Sequence, residues 1–285
     1  MMKVHFKLSA CLLVFLYLMA AQLLPALPEG SLSYNTKIDW QKGIIRVEAG
    51  LDIIKAGIRL PSGRMEAEML LDKQIPYIAR PVVHNILVDS HRTVYDTIMD
   101  GSLDSSELEL FLESGKKLKS SFSRDLVSLN STYEWRIAEL VSLYVKHSVA
   151  IEPVIPDYHV PSRAYSGIII YAKGKLPVRG EHREAGLEAC LFPKIFDSSM
   201  NIIVERNTIN PAALKSWGPV AYNSGMDMAG ITDRVGNDPL RIIAHELFGS
   251  RRSGLVLSNE DAGKLLGSEA NRELLRLGRI VLIID

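Results

Sequence analysis

The chain is 285 residues long, 47% apolar and 23% charged, with a mean hydropathy near zero, so it can support packed cores and is neither wholly disordered nor collagen-like. Its 33 basic residues balance 33 acidic ones, which leaves no global electrostatic pull toward nucleic acid or anionic lipid. Partners must then be recognised by local shape and chemistry.

Lys3 and Lys7 precede an apolar run over residues 8–24 that Pro25 and Pro28 close, the order of an export signal. Residues 1–28 are therefore expected to be a signal peptide or an N-terminal anchor, and the protein to be periplasmic. The run is at the short end of the about 17–25 residues that span a bilayer, so membrane association through this segment is the alternative to cleavage. Leu8-Ser9-Ala10-Cys11 has the spelling of a lipobox, yet the hydrophobic segment follows Cys11 instead of preceding it, so Cys11 is a poorly placed lipidation candidate. Cys190, the other thiol, is expected to be buried and inert, because reactivity needs exposure and nearby positive charge.

The predicted fold class is α+β: two small mixed units with mainly antiparallel sheets. In the first, over residues 36–149, residues 43–53 alternate as a strand. Pro61 and Ser62 open a helix that Pro76 and Pro81 are expected to end or kink. Ser90 is a candidate cap for a helix carrying Val94 and Ile98, and Asp104 for one carrying Leu108, Phe111 and Leu112. Lys116-Lys117-Leu118-Lys119 reads as a solvated face or turn, and residues 122–149 as strands with Asn130-Ser131 as a turn candidate between two of them. Pro153, Pro156 and Pro161 make residues 150–164 an extended, stiff connector. The second unit, over residues 165–285, opens with the apolar strand 165–172. Further strands are expected at residues 187–196, 201–205, 240–247, 254–257 and 280–284, with helices started by Ser258 and Ser268.

Candidate chemistry dissolves on inspection. His245-Glu246 begins like a zinc-protease helix, but Gly249 stands where the second ligand is needed. Ser114-Gly115-Lys116-Lys117 has a penicillin-binding spacing without its companion motifs. The glycines form no phosphate cradle and the histidines no metal pairing, so no catalytic residue, cofactor or metal is expected. The residues that stand out specify geometry: Gly236, Asn237 and Pro239 in a tight turn before an apolar strand, and Ser258 with Asp261 in a capping box. Turn and cap chemistry is preferred here over a polar binding surface.

Five stretches in order resemble the C-terminal region of the FlgP-type flagellar assembly lipoproteins. They are Tyr165-Ser166-Gly167-Ile168-Ile169-Ile170, Leu191-Phe192-Pro193-Lys194-Ile195-Phe196-Asp197, Arg234-Val235-Gly236-Asn237-Asp238-Pro239-Leu240, Leu257-Ser258-Asn259-Glu260-Asp261-Ala262 and Arg279-Ile280-Val281-Leu282-Ile283-Ile284. The whole chain is similar to a spirochaete-type exported variant. The resemblance implies a non-enzymatic periplasmic part of a disk, ring or collar around the flagellar motor, associated with the outer membrane, whose partners are further copies of itself and other motor or envelope proteins. It supplies no catalytic residue, and Tyr171 departs from it where an aspartate is expected. The alternative is an exported ligand-binding or adhesion module, which a cavity lined by aromatic and polar groups would favour.

Overall fold

Alternation builds the first unit. Strand β1 (Leu32–Asp39) pairs with β2 (Ile44–Asp52), and β2 with β4 (Ser128–Arg136), whose outer neighbour is β3 (Lys116–Phe122). The result is an antiparallel sheet in the order β1-β2-β4-β3. Every second residue, Ile45, Val47, Ala49 and Leu51 on β2 and Leu129, Tyr133 and Trp135 on β4, is buried beneath the helices. The computed structural model describes residues 27–155, 160–225, 227 and 230–285.

Helix α1 (Arg64–His84) lies on that face and runs through both Pro76 and Pro81 without ending. Its buried stripe, Ala67, Leu71, Ile75, Ile78, Ala79 and Val83, stays in phase across the prolines. Four large apolar side chains at roughly 1.5–3 kcal/mol each match or exceed two interior prolines at about 3 kcal/mol each, so burial holds the helix together. Helix α2 (Val94–Met99) is capped by Thr93 and Asp96 in a capping box, not by Ser90, which is buried and points its carbonyl elsewhere. Asp104 caps α3 (Ser105–Glu113) through the Ser106 N–H at 2.8 Å.

The lysine run is a largely solvated face at the start of edge strand β3, where charged side chains blunt the edge against pairing. Two local expectations are corrected. Asn130 and Ser131 lie inside β4, and the chain reverses instead at residues 123–127, where the Ser123 N–H donates to Ser128 O. After β4 the chain does not continue as strand. Ile137, Leu140, Val141 and Tyr144 switch to a helical period in and just past α4 (Ile137–Leu143), a change that the short Tyr133, Trp135, Ile137 alternation conceals.

The second unit departs from the antiparallel expectation. Its main sheet, β10 (Ala221–Asn223), β14 (Ile280–Ile283), β5 (Ile168–Tyr171) and β11 (Leu240–Ile243), is parallel throughout. The apolar runs of β5 and β14 are covered on both faces, as parallel sheets require, and β14 is central and offers no free edge. A smaller mixed sheet joins β12 (Glu246–Phe248), β13 (Gly254–Val256), β8 (Ile195–Phe196) and β9 (Ile202–Val204). β6 (Leu176–Pro177) and β7 (Glu184–Ala185) form a small hairpin. The expected single strand over residues 240–247 is divided between the two sheets: the Ala244 N–H donates to Tyr171 O and the next N–H, of His245, to Val256 O. Of the strand expected at residues 187–196 only β8 is regular. Helices α5 (Pro211–Trp217), α6 (Thr232–Val235), α7 (Asn259–Leu266) and α8 (Glu269–Arg276) complete the unit.

The irregular stretch before β8 welds the units together. The Leu191 and Phe192 N–H groups donate to Leu87 O and Val88 O at 2.8 and 2.9 Å, and the Phe192 ring meets Tyr144 edge to face with centroids 5.6 Å apart. Beside them the Arg251 N–H and Ser250 Oγ both donate to Ser90 O, while α4 packs on α5. Buried residues of both units form one continuous cluster. The connector is fastened as well: the Ile151 N–H donates to Asn207 O, Glu152 pairs with Arg276 at 2.9 Å, and Asn271 Nδ2 donates to Ser162 Oγ and Arg163 O. Calorimetry should show one cooperative unfolding transition, and Phe192→Ala should lower stability by about 3–5 kcal/mol while keeping it single. Two resolved transitions in the parent protein would show that the units unfold independently.

Candidate functional site

The residues singled out in the sequence take up separate structural tasks. Gly236 ends α6 with φ +71°. A Cβ there would lie 2.6 Å from the Cβ of Ser166, so the position needs glycine for its backbone and for its space. Ser166 Oγ donates to Val235 O at 2.6 Å and accepts from the Asp238 N–H at 2.9 Å, which pins the turn to the entry of β5. Asp238 also accepts both Nη groups of Arg163 at the end of the connector. Asn237 is exposed and Pro239 half-buried beside them. Some distance along the chain, Ser258 Oγ accepts from the Asp261 N–H and donates to Asp261 Oδ2, starting α7. Cys11 and the export segment up to residue 26 lie outside the described residues. Among the described residues no helix is long and apolar enough to cross a membrane, and no group of His, Cys, Asp and Glu is placed to hold a metal ion.

The turn contains one side chain whose burial the sequence does not announce. Arg234 is 8% exposed and donates Nε to Gly278 O at 2.7 Å, Nη1 to Trp217 O at 2.8 Å and Nη2 to Gly218 O at 2.8 Å. Its guanidinium stacks on Trp217, 4.5 Å from the ring centroid. Burial, with Arg279 nearby, lowers its pKa to about 9, so it stays a cation at neutral pH. Arg234 thus ties the end of α5 to the approach to β14.

The end of α5 held by Arg234, continuing into β10, forms one wall of a cavity between the units, of about 230 Å³. The opposite wall is the tip of the β1–β2 hairpin, set by the Lys42 N–H donating to Asp39 Oδ1 and by Gly43 at φ +64°. Gly43 O in turn accepts the Ile137 N–H, which fixes the hairpin against the start of α4. Trp40 at this tip meets Tyr222 of β10 edge to face, with centroids 5.4 Å apart and the rings at 70°. Tyr222 Oη donates to Cys190 O and accepts from the Cys190 N–H, closing the floor. Trp217 is held by Nε1 donating to Leu277 O. Two cationic residues, Lys42 and Arg136, stand among the lining residues, and no Asp or Glu does. No local pattern marks this cavity, because its walls come from segments 40–44, 136–141, 190–191 and 216–222, which share no motif. The one available signal was aromatic residues placed next to turn residues, as in Trp40 before Gly43 and Trp217 before Gly218.

Three outcomes test this geometry. Gly236→Val should destabilise the protein by about 3 kcal/mol, through a disfavoured φ and a clash with Ser166; an unchanged melting temperature would show that the turn tolerates a side chain. Arg234→Met should cost about 3 kcal/mol or more, because three buried carbonyls lose their donor. Burial pushes the Cys190 thiol up to about 12, so it should resist a thiol reagent at pH 8 in the folded protein and react at once in denaturant.

Residues 31–143 match the family model described as the N-terminal domain of Treponema pallidum Tp0624, and residues 167–285 match the model of its second domain. No curated protein matches the chain. The matches accord with a spirochaete-type chain, while the models matched are not of the flagellar lipoprotein family. Over the greater part of its length, the chain therefore joins a unit similar to the N-terminal domain of Treponema pallidum Tp0624 to one similar to its second domain, in that order.

Proposed function

We propose that the protein is a non-enzymatic, exported structural component, and that it serves as a periplasmic accessory of the flagellar motor. The observation that carries the reading is the weld between the units. A shared core and backbone bonds at residues 87–90 hold two sheets in one fixed relation, which suits a static building block better than a machine that opens and closes. The Gly236 turn, the Ser258 cap and Arg234, all in stretches that resemble the flagellar family, fix the second unit internally. Exposed apolar side chains at the start of the connector and just before it, Val149, Ile151 and Val154, supply contact surface for neighbouring copies or other motor proteins. Such contacts close into a ring when the rotation between copies permits.

The test is a deletion strain whose motors are imaged in situ. Loss of density around the motor together with impaired swimming is the expected outcome. Normal motility with a complete motor periphery rejects the flagellar assignment, and recovery of the intact N-terminus in the soluble cytoplasm rejects export.

A second reading, an exported ligand-binding module, is favoured by the aromatic cavity between the units, since small-molecule sites sit preferentially at such junctions.

A further inference from the structure

The junction cavity has a composition that selects its occupant. Its cationic residues, Lys42 from the hairpin tip and Arg136 from the end of β4, form no ion pair among the described residues. Arg136 is committed only through Nη2, which donates to Ser216 O at 3.2 Å, so its remaining N–H groups are available at the rim. No carboxylate among the lining residues competes for either cation.

Beside the cations, which stand near each other because Ile44 is the strand partner of Arg136, lies an apolar, aromatic interior. Trp40 and Tyr222 form one corner, and Trp217 is held in place by Arg234 behind it. At about 230 Å³ the space exceeds the roughly 150 Å³ that accommodates benzene and falls short of a drug-sized site. We infer that this cavity binds a small organic anion with one flat apolar ring and one carboxylate, of the arylalkanoate class. The ring packs among Trp40, Tyr222 and Trp217, and the carboxylate takes the free edge of the Arg136 guanidinium with Lys42 beside it. This inference rests on the ligand-binding reading and is independent of the flagellar one.

The full folded chain, labelled with ¹⁵N, provides the test. Its three tryptophans report separately: Trp40 and Trp217 line the cavity, while Trp135 is buried in the first unit with Nε1 donating to Phe111 O and Leu112 O. Titration with phenylacetate should shift the Trp40 and Trp217 indole signals, leave that of Trp135 in place, and half-saturate at or below about 1 mM, an ordinary value for a ligand of about ten heavy atoms. Benzyl alcohol, which has the same ring and no charge, should bind at least tenfold more weakly. The double variant Lys42→Gln, Arg136→Gln should lose that preference while retaining its binding of benzyl alcohol, which also shows that the cavity is still folded. Equal binding of the two ligands, or a preference unchanged by the double variant, overturns the anionic class and leaves a ligand cavity. No shift with either ligand up to 10-fold above that concentration, about 10 mM, overturns the ligand-binding reading as well.

Discussion

Everything in this molecule depends on the stretch that carries Leu191 and Phe192 across the junction. It is too apolar for water and has no strand of its own to pair with, so its N–H groups turn to the carbonyls of Leu87 and Val88 in the other unit. Once those two bonds form, Phe192 is brought against Tyr144 and the cores of the two units meet. Removing a buried backbone partner costs more than the bond itself contributes, so the seam resists opening. The hairpin tip at Trp40, the floor at Cys190 and the wall at Trp217 meet beside this seam.

Arg234 plays the complementary role inside the second unit. A buried cation without a carboxylate partner is normally costly, and here three carbonyl oxygens and the face of Trp217 take the place of water. The carbonyls it gathers come from residues 217, 218 and 278, at the end of α5 and just before β14, and those chain ends would otherwise leave polar groups facing the core. Gly236 follows two residues later with a backbone only glycine adopts easily, so the same short segment provides the clamp and the turn that aims it.

Much of the local architecture was legible from residue order. The alternation in β2, the Asp104 and Ser258 caps and the doubly buried character of the strand at residues 168–171 follow from side-chain periodicity and hydrogen-bonding chemistry, which are short-range. Where a long-range contact competed with a short-range rule, the contact prevailed. Pro76 and Pro81 did not end α1, because the stripe they interrupt is needed on the sheet. Thr93, not Ser90, caps α2, because Ser90 lies at the seam with residues 249–251.

The sequence by itself determined that the chain has an α+β character, where the Gly236 turn and the Asp104, Ser258 and Ser268 caps lie, and that Cys190 is a buried thiol. These depend on residues within a few positions of one another, where the chain's own geometry does the selecting. Only the tertiary structure decided that the main sheet of the second unit is parallel, that residues 240–247 divide between two sheets, and that four distant segments enclose an aromatic cavity. Strand direction and cavity walls are relations between segments far apart in the chain, and they are chosen by which apolar faces can be buried together, a choice that no local pattern records.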